Sequence, residues 1–149
     1  MEWIAMNQDE MMIDPETGEE LHRDIRPMTF TYQGESITVD MPGWYSADGA
    51  RSVHSHEDTK VSDRALHVMK ARMEGLPLPT EIRSIRKKFA LTQEEAGTIL
   101  GGGARAFQKY ESGDVLPSRT MANLLLLLQE YPQGLETLRA HRREREKVS

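Results

Sequence analysis

Apolar and polar residues alternate along this chain with two different periods, and the change from one to the other falls near residue 55. Met28, Phe30 and Tyr32 are separated by Thr29 and Thr31, and Ile37, Val39 and Met41 resume the alternation after Gln33-Gly34-Glu35. A period of two on both sides of a short glycine-containing loop predicts a β-hairpin over residues 26–45, ending at Pro42-Gly43 with Trp44 and Tyr45 as cover. Over residues 57–74 the period becomes helical, with Val61, Ala65, Leu66, Val68, Met69 and Met73 on one stripe. Ser55, with Asp58 three positions later, predicts a capping box at the start of that helix. Gly75-Leu76-Pro77-Leu78-Pro79 ends it and forms a stiff, extended connector.

Beyond the connector the helical period continues. Thr80 opens a helix with Ile82, Ile85, Phe89 and Ala90 inward and Arg83, Arg86, Lys87 and Lys88 outward. Residues 91–113, LTQEEAGTILGGGARAFQKYESG, read as two short helices separated by three glycines. Thr92 with Glu95 predicts a capping box, and Gly101, Gly102 and Gly103 permit the positive φ of a sharp turn. In the second helix, over residues 104–112, Phe107 and Tyr110 face inward. Arg105, Gln108, Lys109 and Ser112 share the opposite face at i, i+3, i+4 and i+7. Ser118 then caps a helix reaching about Glu130, Tyr131-Pro132 breaks it, and a last helix over residues 133–145 turns Leu135 and Leu138 inward. The five leucines at 124–128 sweep about 500° of helix surface. No single neighbour hides them all, so a second subunit is expected against Leu124, Leu125, Leu127, Leu128, Leu135 and Leu138.

An inner face that anchors a short helix and an outer face of Arg, Gln and Lys form the layout of a helix-turn-helix, whose second helix enters the major groove. The expected DNA contacts are Arg105, Gln108, Lys109 and Ser112, with Arg83 and Lys87 on the preceding helix beside phosphates. The same spacing also suits an ordinary αα-hairpin with a solvated polar face. Net charge is −5, which by itself argues against nucleic acid. The distribution reverses that inference: residues 1–79 hold 7 Lys and Arg against 15 Asp and Glu, whereas residues 80–149 hold 12 against 9. With no cysteine, no long apolar run and no basic-then-apolar leader, disulfides, a membrane span and a secretory signal are not expected, and a cytoplasmic location is.

Particular residues sharpen the reading. Leu91-Thr92-Gln93, Ala96 and Tyr110-Glu111-Ser112-Gly113 resemble the Xre or phage-repressor type of helix-turn-helix. The hairpin, the helix after it, the proline connector and the triple glycine followed by Phe107 and Tyr110-Glu111 together resemble the MqsA-type antitoxins of bacterial toxin–antitoxin systems. The resemblance implies a mainly α chain: a C-terminal five-helix Xre-type domain and a small α+β N-terminal domain made of a β-hairpin plus a helix. The expected boundaries are 1–74 for a toxin- or partner-binding domain with residues 1–24 as an irregular or disordered lead-in, 75–79 for the linker, and 80–149 for the DNA-binding and dimerisation domain. It also implies a dimer that binds operator DNA, represses its own operon and neutralises a toxin, often an RNase, through its N-terminal half. The alternative is an Xre-type transcriptional regulator with no toxin partner.

The resemblance implies structural zinc held by two Cys-x-x-Cys pairs, and here the chain departs from it. The four ligand positions read Asp14, Thr17, Ser46 and Gly49, so no thiolate remains and no cofactor is expected. His22, His54, His56, Asp14 and Asp48 are the remaining oxygen and nitrogen donors in that half. Glu16, Glu19, Glu20 and Asp24 invite a paired-carboxylate reading, but a solvated acidic segment accounts for them far better. No nucleophile elbow, Walker loop or His-Glu-x-x-His occurs, so no enzymatic activity is expected.

Overall fold

The computed structural model describes residues 10–148. In chain order the elements are β1 (Met11–Ile13), β2 (Glu20–Tyr32), β3 (Glu35–Tyr45), β4 (Ser52–Val53), α1 (His56–Glu74), α2 (Pro79–Lys88), α3 (Gln93–Leu100), α4 (Ala106–Ser112), α5 (Arg119–Glu130) and α6 (Gly134–Val148). Helices take up about half of the chain. Two compact units meet in sequence between Leu66 and His67, inside α1.

The first unit is an antiparallel sheet in the order β1-β2-β3-β4, followed by the first half of α1. The hairpin foreseen at residues 26–45 is its centre, but β2 and β3 remain paired from Tyr32↔Glu35 as far as His22↔Tyr45. Gln33 and Gly34 turn the chain with φ of 48° and 82°, the two positive values of a type I′ turn, whose twist matches that of the strands it joins. Period two then sorts the side chains. Thr29 faces Thr38 with hydroxyls 2.8 Å apart on the exposed face, while Met28, Phe30, Ile37 and Val39 share the other, half-buried face. Leu21, Met41 and Tyr45 are buried at the broad end, where the Tyr45 hydroxyl donates to the Met41 carbonyl at 2.7 Å.

Residues 10–24 differ from the irregular lead-in expected of them. Leu21 is fully buried, β1 adds an edge to β2 with Met12 opposite Leu21, and the loop between them is closed by Asp14 and Glu19. These ties are long-range or depend on a single buried residue, so no local period announces them. Residues 1–9 lie outside the described residues.

Helix α1 starts at the capping box: Ser55 N–H donates to Asp58 Oδ2 and Asp58 N–H to Ser55 Oγ, at 2.9 and 3.1 Å. Asp58 also receives both guanidinium nitrogens of Arg23 on β2, one at 2.8 Å, which ties the first turn of the helix to the sheet. Arg23 lies 5.3 Å from the centre of the Trp44 ring, a cation–π contact within the sheet.

The second unit runs from the end of α1 through α6. Its core is Ile82 and Ile85 of α2, Leu91, Ala96 of α3, Phe107 of α4, Met121, Leu125 and Leu128 of α5, and Leu135 of α6. Ser118 Oγ accepts the Met121 N–H at 3.0 Å as the cap of α5. Two residues read as inward are not. Ala90 is exposed at φ 56°, because α2 ends there and the chain reverses into Leu91. Met73 is also exposed, and Ala71 is the fully buried residue in the last turns of α1.

The Arg23–Asp58 pair makes the first unit sensitive to acid. Burial alone would push the Asp58 carboxyl up, but the Arg23 guanidinium and the Ser55 N–H outweigh it and hold the group below the ordinary value. A lowered carboxylate contributes stability above its unfolded value, about 3.9, and that contribution is lost as pH falls through the folded value. Asp58→Asn keeps a capping oxygen and removes the ion pair. It should cost about 3 kcal/mol at neutral pH. Thermal unfolding from pH 7 to pH 2.5 should show the variant's deficit shrinking below pH 4.

Candidate nucleic-acid interface

The helix-turn-helix is α3, the turn at 101–105 and α4. Its first helix begins at the capping box foreseen in the sequence: Glu95 N–H donates to Thr92 Oγ1 at 3.1 Å and Thr92 N–H to Glu95 Oε1 at 3.0 Å. The Thr92 N–H and hydroxyl hold the Glu95 carboxyl below its ordinary value. All three turn glycines have positive φ, between 94° and 119°. The tightest approach involves a fourth glycine. A Cβ on Gly97 would lie 1.8 Å from the Gly103 carbonyl oxygen, so only glycine lets the turn fold back on α3. A bond from Ala106 N–H to Gly103 O closes that turn, and α4 therefore starts at Ala106, two residues later than the sequence pattern places it.

Three attachments hold α4. Phe107 is fully buried and meets Tyr110 edge to face, with ring centroids 5.3 Å apart. Glu111 receives two hydrogen bonds from Arg86 of α2, at 2.7 and 2.8 Å, and the same guanidinium donates to the Leu91 carbonyl at 2.9 Å. Both side chains are nearly buried, 12% and 5% exposed. His67 of α1 donates from Nδ1 to the Gly113 carbonyl at 2.7 Å, just past the end of α4. Arg86 thus corrects the sequence reading, which turned it outward with its basic neighbours. Its partner Glu111 stands in the Tyr-Glu-x-Gly string, but nothing in that string names α2 as the other side. His67 carries no sequence signal.

Arg105, Gln108 and Lys109 are exposed, and among the described residues their side chains make no hydrogen bond or ion pair. Arg105 stands at the start of α4 rather than within it. Ser112 is half-buried and used locally: its hydroxyl donates to the Lys109 carbonyl and accepts the Asp114 N–H. Arg83 and Lys87 are exposed on α2, a helix that packs against α4.

The leucines divide by helix geometry. Leu125, Leu128 and Leu135 are buried in the chain's own core, with Leu124 and Leu138 packed partly against it. Leu126 and Leu127 are 59% and 58% exposed, with Tyr131 beside them at 60%.

The zinc that the resemblance implies does not fit the first unit. Thiolates are absent, and Asp14 already accepts from the Glu16 N–H and from Arg51, which leaves a cation beside it. Among the described residues no group of three His, Asp or Glu is placed to hold a metal ion. His54 instead bonds to the Pro42 carbonyl and the Ser52 hydroxyl, at 2.8 and 3.1 Å. The acidic residues are similarly occupied: Glu16 pairs with Arg51, and Asp24 with Arg26.

Replacing Arg86 by Met would leave Glu111 buried without its cation. Urea unfolding of Arg86→Met should show a loss of about 3 kcal/mol. Arg86→Lys should recover only part, because an ammonium cannot make the two-pronged contact and reach Leu91 as well. Arg105→Ala and Lys109→Ala should stay within about 0.5 kcal/mol of the parent chain.

Comparison with known proteins bears on both units. Residues 13–139 match the family described as the antitoxin component of a bacterial toxin-antitoxin system, MqsA. The chain is also similar to antitoxin MqsA of Escherichia coli (strain K12), 29% identical over 122 residues that cover 80% of this chain and 93% of that protein. The match runs through the sheet, α1 and the helix-turn-helix, and the family is non-enzymatic. The chain therefore belongs to the MqsA family, the antitoxin components of bacterial toxin–antitoxin systems.

Proposed function

We propose that this antitoxin binds operator DNA as a twofold dimer, represses its own operon, and neutralises its toxin through the unit before Leu66. The observation that carries the DNA reading is the contrast within α4. One face is fixed by Phe107, Tyr110 and the Arg86–Glu111 pair, while Arg105, Gln108 and Lys109 on the other are exposed without partners among the described residues. A rigid short helix presenting Arg, Gln and Lys suits base edges, for which Arg is the commonest partner of guanine. Arg83 and Lys87 on α2 suit the flanking phosphates.

The dimer reading rests on α5. Leu126, Leu127 and Tyr131 together leave an apolar strip in water, and burying each leucine fully would contribute roughly 1.5–3 kcal/mol. A twofold contact there, extended by the half-buried Leu124 and Leu138, would hold two copies of α4 about 34 Å apart, one turn of DNA. Leu125, Leu128 and Leu135 would act beneath that surface as its support. The family match over both units favours an antitoxin over a regulator without a toxin.

Arg105→Ala should weaken specific binding by roughly 1–3 kcal/mol and relax preference at one base position, measured by titration of operator and random duplexes. Equal loss on both duplexes would move Arg105 to the phosphate contacts. Lys87→Ala should weaken both duplexes alike and lower the salt slope by about one. Light scattering at micromolar concentration should give twice the 17.0 kDa of one chain. Leu127→Glu should return the monomer with its fold intact, and a parent chain that is already monomeric would sink the dimer.

A further inference from the structure

The misfit of zinc leaves a question that the first unit answers with its own side chains. Two loops are built alike. In the β1–β2 loop, Gly18 N–H donates to the Asp14 carbonyl at 2.8 Å, and Asp14 Oδ1 accepts the Glu16 N–H at 2.9 Å. In the β3–β4 loop, Gly49 N–H donates to the Ser46 carbonyl at 3.0 Å, and Asp48 Oδ1 accepts both the Ala50 N–H and the Ser46 hydroxyl. The first residue of each loop is almost sealed from water, Asp14 at 2% and Ser46 at 1% exposure.

Arg51 joins the two loops. Its backbone N–H donates to Ser46 Oγ at 3.1 Å, and its carbonyl accepts the Ser46 N–H at 3.0 Å, which closes its own loop. Its guanidinium reaches the other loop, with Nε on Asp14 Oδ2 at 2.8 Å and a terminal nitrogen on Glu16 at 3.2 Å. Arg26 on β2 adds a bond to the Ser46 carbonyl at 3.2 Å. A Cβ on Gly49 would lie 2.9 Å from Nη1 of Arg26, so a side chain at 49 would have to displace that guanidinium. No buried side-chain nitrogen or oxygen among the described residues is left without a partner.

We infer that Arg51 does the work of a structural metal in this antitoxin: its guanidinium clasps the β1–β2 loop to the β3–β4 loop, and the unit folds without any metal ion. A guanidinium suits the task because it is charged at every relevant pH and its planar fork matches a carboxylate. Binding of a structural metal is folding free energy that a chelator removes, and thiolate ligands are open to oxidation. A clasp of Arg51, Asp14 and Ser46 has neither weakness, so the fold of this unit is indifferent to zinc supply and to thiol oxidants.

The test is thermal unfolding of the full chain followed by tryptophan fluorescence, since Trp3 and Trp44 both precede Leu66. EDTA and added zinc should leave the midpoint of the parent chain unchanged, and metal analysis should find well under one zinc per chain. Arg51→Met should lower the midpoint by about 5 °C or more, equally with and without EDTA. Arg51→Lys should restore part of it. The Asp14→Asn and Arg51→Met double variant should lose less than the sum of the singles, as partners in one contact do. If Arg51→Met does not fold, the near-isosteric Asp14→Asn decides, its midpoint falling if the clasp holds the unit. A midpoint lowered by EDTA, one zinc retained per chain, or Arg51→Met or Asp14→Asn unfolding with the parent would overturn the inference.

Discussion

A single guanidinium organises the helix-turn-helix. Arg86 projects from α2, binds Glu111 on α4 with two prongs and takes the Leu91 carbonyl with a third contact, so α2, the loop before α3 and α4 share one cation. A charge this nearly buried is tolerable because three of its N–H groups meet oxygens, two of them on a carboxylate, and the same condition fixes the geometry. Glu111 cannot rotate away without stranding Arg86, and α4 therefore cannot roll about its own axis. With Phe107 locked in the core on the same helix, the direction in which Arg105, Gln108 and Lys109 point is set from behind. Packing of this kind is what holds a seven-residue helix in place, since its own backbone bonds would scarcely do so.

The first unit solves a different problem with the same residue type. A four-stranded sheet whose outer strands are three and two residues long has little apolar surface to bury. Arg23 joins the sheet to α1 through Asp58, and Arg51 joins one loop to the other through Asp14. Each arginine meets a carboxylate that is nearly buried, so the acidic composition of this half is in part structural cement rather than a solvated field.

The exposed strip on α5 follows from helix geometry. Residues 125 and 128 lie one turn apart and enter the core with Leu135, which by helix geometry turns 126 and 127 to the outside. An uninterrupted leucine run thus has one side in the core and the other in water.

The helices of the second unit, their caps at Thr92 and Ser118, the glycine turn and the inward Phe107 and Tyr110 could all be read from the sequence. Each follows from neighbours within about four residues, where backbone geometry leaves few options. The hairpin was legible for the same reason, whereas the loss of thiolate ligands was legible only against the family resemblance. Tertiary structure alone decided what lies far apart in the chain: Arg86 with Glu111, Arg23 with Asp58, Arg51 with Asp14, and His67 with Gly113. A basic residue in a sequence looks the same whether it faces DNA or a buried carboxylate 25 or more positions away. It likewise decided that β2 extends back to Glu20 and that Leu125 turns inward while Leu126 turns out. Local periods specify which face an element can bury, and only the packed fold determines which neighbour is there to cover it.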